Sequence, residues 1–223
     1  GAADKKNRNQ SASSAMTARD LQFIGDDAIR ITVSQPEERF QLADFLRRSG
    51  NWAEIVVGKR SVTVQFDPLI ISSTEVARRL RDVEVSDLGS ASVAHGMRTL
   101  KIQTNDGNAP DLAECAETND CSIIEFLERI QRSNLRVDML GFAPGFAYVD
   151  GVDPQLEGTR LEHPRQLVKA GSVGFISGHL GIYALDGPGG WPIIGRTAAL
   201  LFDESKSDPF LIKPGLGLQI EWV

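Results

Sequence analysis

From Arg136 to Val223 the chain reads as short apolar strands broken by glycine or proline about every eight to twelve residues, a punctuation that favours a closed barrel or a sandwich. Two of the breaks are unusual. Gly141-Phe142-Ala143-Pro144-Gly145-Phe146-Ala147-Tyr148 and Pro188-Gly189-Gly190-Trp191-Pro192-Ile193-Ile194-Gly195-Arg196-Thr197 combine residues that permit close backbone approach or fix a bend with large rings. Singly, such blocks are turns found in any all-β domain. Paired, with rings beside each opening, they have the make-up of loops that line a site.

The rest of the chain has a different pattern. Ala28 to Val33 alternates as a strand does, and Phe40, Ala43 and Leu46 recur on one helical face between Pro36 and Gly50. Trp52–Val57 and Ser61–Phe66 form a hairpin pattern across Gly58-Lys59. Ser72 and Glu75 then have the spacing of a capping box, with Ile71 and Val76 as its staple. With a last strand near Val85, the predicted order is βαββαβ, the ferredoxin-like split unit. The boundaries that follow are an ordered domain at 18–90 and a second at 91–223, preceded by a polar, Ser/Asn/Lys-rich stretch at 1–17 that is expected to be a disordered extension or a non-native remnant. The second domain opens with a strand at Leu100–Thr104 and helical stretches near Asp111–Glu117 and Ser122–Arg132, and it ends on an alternating strand at Leu218–Val223.

The chain has 223 residues, enough for two domains of about 100 residues each, and 24 basic against 30 acidic side chains give a net charge of −6. That balance argues against nucleic acid or an anionic membrane held by bulk electrostatics. The clusters Arg47-Arg48 and Arg78-Arg79-Leu80-Arg81 fall on predicted helices and read as solvated faces. Cys115 and Cys121 lack the spacing and neighbours of a zinc site, so a reduced thiol pair and a cytoplasmic location are expected, with no metal site. No apolar run reaches the ~18 residues of a membrane span. Gly190 to Thr197 mimics a phosphate-binding loop, but its interior is Trp-Pro-Ile-Ile, arginine replaces the lysine, and Ala198–Phe202 reads as strand rather than helix.

The two blocks, with His163-Pro164-Arg165 and Ala170-Gly171-Ser172-Val173 between them, resemble the family that holds the B component of bacterial 5-oxoprolinase, subunit 1 of allophanate hydrolase and the KipI-type kinase inhibitors, whose members carry the carboxyltransferase domain, subdomain C and D type. The resemblance is strong from about Arg136 to Val223 and weaker from about Leu21 to Arg98. The chain also departs from it: His179 stands where relatives carry Gln, Ala184 replaces a Pro, Gly187 a Ser, and Ile130 lies near a usual histidine.

The resemblance implies an α+β chain in which a cyclophilin-like β-barrel follows the ferredoxin-like domain. It implies a hydrolase subunit of an ATP-dependent, amide-hydrolysing complex of the 5-oxoprolinase or allophanate hydrolase type, active in a hetero-oligomer with a C-type carboxyltransferase-domain protein and an A-type protein. ATP is implied as cofactor, and no biotin-carrier Met-Lys-Met motif is present. The alternatives are a KipI-like inhibitor that binds a histidine kinase and a diverged, non-catalytic member. The candidate catalytic residues are Arg165, His179 and Arg196. The candidate binding residues are Phe142, Phe146, Tyr148, Ser172, Tyr183, Gly189, Gly190, Trp191 and Thr197. Arg196 has two readings, a bidentate anion contact or a brace on barrel carbonyls.

Overall fold

A computed structural model describes residues 20–33, 35, 38–83, 88 and 96–223. They belong to two compact units, one drawn from Gly1–Val56 and Arg60–Ser90, the other from Val57–Lys59 and Ala91–Val223. The expected extension at 1–17, the helix-opening Pro36 and the strand expected near Val85 lie outside the described residues.

In the first unit the order is β1 (Leu21–Ile24), β2 (Ala28–Thr32), α1 (Glu38–Ser49), β3 (Glu54–Val57), β4 (Ser61–Gln65) and α2 (Ser73–Arg81). The sheet runs β1-β2-β4-β3, so β4 sits between the two strands that α1 connects. Alternation explains its core. Ile29 and Ile31 of β2, with Val62 and Val64 of β4, are buried along with Leu42 and Leu46 of α1 and Val76 and Leu80 of α2. The Ser72 hydroxyl accepts the Glu75 backbone N–H at 3.3 Å and caps α2. The pattern differs from the βαββαβ expectation at its beginning: β1 forms a hairpin with β2 through Gly25, whose φ of +65° suits glycine, and holds the edge beside β2.

The second unit comprises β5 (Met97–Ile102), α3 (Leu112–Thr118), α4 (Ile123–Gln131), β6 (Arg136–Leu140), β7 (Ala147–Asp150), β8 (Arg165–Val168), β9 (Ser172–Ile176), β10 (His179–Ile182), β11 (Gly187–Gly189), β12 (Ile193–Arg196) and β13 (Gly217–Trp222). Seven strands form one sheet in the order β12-β9-β10-β7-β6-β13-β5, and β8 with β11 forms a separate ribbon. The sheet curls, because its two edges meet: just beyond β5, Gln103 exchanges backbone hydrogen bonds with Arg196 of β12 at 2.8 and 3.0 Å. This mixed α+β architecture with a curled sheet is compatible with a cyclophilin-like barrel. Inside it, Phe126 of α4 meets Phe175 of β9 edge-on at 5.2 Å, and the indole N–H of Trp222 donates to the Leu127 carbonyl at 2.9 Å, tying β13 to α4. Ile130, near the position where relatives carry histidine, is fully buried in this core. The P-loop look-alike runs through β12 with Ile193 and Ile194 buried and no helix after it, but the strand expected at Ala198–Phe202 does not form: only Phe202 makes an isolated bridge, to Phe210.

Candidate functional site

Strands β7, β9 and β10 have two covered faces. Ala147, Val149, Val173, Phe175, Leu180 and Ile182 point into the main core. The alternate positions, Tyr148, Gly174 and Gly181, face the other way, and there a second, smaller core gathers Phe146, Val168, Tyr183 and Ile193 with Ala143 and Tyr148 against it. Gly174 and Gly181 are register partners in adjacent strands. A Cβ on Gly181 would come within 2.8 Å of the Phe146 ring and 2.9 Å of the Trp191 ring, and one on Gly174 within 2.8 Å of Trp191 Cβ. The two glycines therefore make a smooth floor on which the rings lie. The ribbon β8–β11 supplies Val168 and Gly189, and a Cβ on Gly189 would run into the Tyr183 hydroxyl.

Phe146 is the hub of the rings. Its centroid lies 5.3 Å from Phe142, 4.9 Å from Tyr148, 4.9 Å from Tyr183 and 6.4 Å from Trp191, all edge-to-face. This geometry sets positive ring edges against negative faces. Phe146, Tyr183 and Trp191 are buried, whereas Phe142 is 66% exposed. Phe142 also has φ of +71°, a left-handed conformation costly to a residue with a Cβ. The turn holds one aromatic ring out in water at a backbone cost.

The Tyr183 phenol is buried in this second core. Burial raises its pKa above the ordinary tyrosine range, while a hydrogen bond with the Trp191 backbone and the charges of Arg160 and Arg165 act in the opposite direction. Arg165 begins β8, across the ribbon from Gly189. Both of its terminal nitrogens, at 2.9 and 2.7 Å, fork onto the carboxylate of Asp111, which is buried just before α3 and also accepts the Ile193 backbone N–H at 2.5 Å. As placed, Arg165 is a fastener between β8, α3 and β12 whose fork is already occupied. Asp111 and Arg160 were not singled out from sequence. Asp111 reads only as the residue before a helix, and its partners lie 54 and 82 positions away.

Arg196, Ser172, Thr197 and His179 take no part in the ring pairs around Phe146, whereas Gly190 directly precedes Trp191. Arg196 Nε donates to the Ala170 carbonyl at 2.8 Å, the contact that the bracing reading requires. Ser172, its register partner on β9, is buried, and the buried Thr197 hydroxyl accepts the Ala199 N–H at 3.2 Å within a turn. His179 of β10 faces Asp150 of β7, its Nδ1 at 2.7 Å from the carboxylate. The Gly190 carbonyl accepts the Leu161 N–H at 2.7 Å. Cys115 and Cys121 are free thiols; burial, helped by the charges of Asp111 and Glu114, pushes Cys115 up to about 12.

A curled sheet with a ring platform on its outer face and two helices at its core, carried in one chain with a small α+β unit, defines the class of architecture. Residues 20–212 match the family described as Carboxyltransferase domain, subdomain C and D, and the chain belongs to that family. It is 33% identical over 202 residues to the B subunit of 5-oxoprolinase from Escherichia coli O157:H7, an alignment covering 86% of this chain and 91% of the relative. Among solved structures, TTHA0988 superposes with a TM-score of 0.74 at 24% identity, over 88% of this chain and 40% of that one. The urea carboxylase of Kluyveromyces lactis superposes with a TM-score of 0.69 at 18% identity, over 92% of this chain and 22% of that one. At those identities the two structures show the fold alone, and this chain spans less than half of either. No helix among the described residues is long and apolar enough to cross a membrane.

Proposed function

We propose that this chain is the B-type subunit of an ATP-dependent 5-oxoprolinase-type complex. In that complex it acts with a C-type carboxyltransferase-domain protein and an A-type protein, and its two units are a ferredoxin-like domain and a cyclophilin-like barrel. The observation that carries this reading is the 33% identity to a 5-oxoprolinase B subunit across 91% of that protein's length. Opening a lactam means breaking amide resonance, and phosphorylation of the carbonyl oxygen by ATP is a chemically sensible way to do it. In this reading Phe142 and Tyr148 supply apolar contact at the mouth of the ring platform, and the Gly189 and Gly190 amides offer donors to a developing oxyanion. The exposed Arg160, whose charge acts on Tyr183, supplies positive charge in place of Arg165, which is paired with Asp111.

The test is reconstitution. The purified chain alone is expected to leave 5-oxoproline unchanged, and mixing it with its C-type and A-type counterparts should give ATP-dependent formation of glutamate. Turnover by the chain unaided, or a complete mixture that works equally well without it, would refute the assignment.

A further inference from the structure

The arginine clusters that read as solvated helix faces converge in the first unit. Arg47 and Arg48 at the end of α1, and Arg79 in the last turn of α2, line one cavity of about 640 Å³ together with Trp52, Ile70 and Ile71. A second cavity of about 270 Å³ shares Ser49, Trp52 and Arg79 with it and runs on to Leu80, Asp82 and Val83, the Asp82 carboxylate being held by Arg78 at 2.9 Å. Together they form a groove between the two helices. Basic side chains in a last turn suit the helix dipole, which accounts for the arginines in part. Arg47 meets Asp44 and Arg79 meets Glu75, but the exposed Arg48 meets no carboxylate among the described residues.

The dipole does not account for the apolar tip beside them. Leu69 and Ile70, in the turn after β4, are 94% and 83% exposed. A chain with a net charge of −6 here gathers guanidinium groups, an indole and two aliphatic side chains on one surface. Tryptophan and arginine are the side chains that most often anchor protein interfaces.

We propose that this groove is a docking surface for a partner protein that presents an acidic amphipathic segment, its carboxylates set on Arg47, Arg48 and Arg79 and its apolar side chains on Leu69, Ile70 and Trp52. Charge complementarity selects the occupant. Arg47 and Arg79 already hold Asp44 and Glu75, so the charge of Arg48, uncompensated among the described residues, is what favours an acidic over a basic segment, and the exposed aliphatic pair gains nothing from a small anion. The identification of that partner as another component of the complex rests on the function proposed above, while the surface itself does not.

Two measurements on the full chain separate the possibilities. In the first, a labelled synthetic helix with glutamate on one face and leucine on the other is titrated in by fluorescence anisotropy, beside a lysine-and-leucine counterpart. The acidic helix should bind, and its affinity should fall at least tenfold in Arg48→Glu and in the Leu69→Ser/Ile70→Ser pair. Raising ionic strength from about 0.05 to about 0.5 M should weaken the wild type more than Arg48→Glu, because screening acts on the charged contact. Arg132→Glu, an equal charge change at the exposed C-terminal cap of α4, should have no effect. Failure of the acidic helix to bind, or equal binding of the basic one, overturns the proposal.

In the second measurement, association with the C-type protein is followed by sedimentation for the same variants, each checked by circular dichroism. If the complex forms and Arg48→Glu leaves it as tight as before, the surface is not the docking site although the complex stands. If the helix binds through Arg48 and no complex forms, the surface stands and the proposed function falls.

Discussion

Phe142 shows how a single residue departs from what is locally favourable. A left-handed backbone costs a residue with a Cβ about 1–2 kcal/mol, and the exposed ring recovers only its edge contact with Phe146. Glycine adopts that φ freely but adds about 0.5–1 kcal/mol of unfolded-chain entropy, so the opposing effects come near to cancelling. Phe142→Gly should therefore melt within a few degrees of the wild type, or above it, while the activity of the reconstituted complex drops at least tenfold. A large loss of stability together with unchanged activity would make Phe142 a structural residue. Gly181 is the converse case. It tolerates no side chain, because Phe146 and Trp191 occupy the space a Cβ needs, and its role is legible in sequence only as a glycine breaking an apolar strand.

At the level of elements, β8, α3 and β12 are joined by one carboxylate. Asp111 accepts three hydrogen bonds, two from Arg165 and one from the Ile193 backbone. Its removal strands a positive charge and a backbone donor together. Breaking a buried pair in this way costs about 3–5 kcal/mol, and the lower end applies because the Arg165 side chain is 33% exposed. Asp111→Ala should lower the unfolding free energy by that amount in a denaturant titration, and adding Arg165→Ala should cost less than the sum of the two single changes. Additive losses would show that the two residues act separately. The helices, the strands β2 to β5 and the final strand β13 were predictable to within a few residues, because alternation, helical spacing and the Ser72 cap are local signals, whereas β6 to β12 were legible only as a strand-rich run without individual bounds. The strand β1 was missed: only Gly25-Asp26-Asp27 separates it from β2, and the two read as one apolar stretch interrupted by a turn.

At the scale of the molecule, the last seven residues close the second unit. The strand β13 lies inside the sheet, antiparallel to β6 on one side and parallel to β5 on the other. Deleting residues 217–223 should leave β5 without its neighbour and lower the near-ultraviolet circular dichroism well beyond the loss seen in Trp222→Phe; a truncated chain whose spectrum matches that of Trp222→Phe would show that the second unit folds without β13. The sequence by itself determined the strand-rich second half, the helix with its Ser72 cap, the resemblance to the carboxyltransferase C and D family, and the aromatic residues of the platform with Gly189, because each depends on neighbours a few positions apart. Only the tertiary structure decided that Gly174 and Gly181 lie side by side under the rings, that Asp111 occupies the fork of Arg165, that Arg196 binds a carbonyl, and that Arg48, Arg79 and Trp52 share one groove. Those relations join residues separated by up to 54 positions, and a local pattern carries no information about partners that only folding brings together.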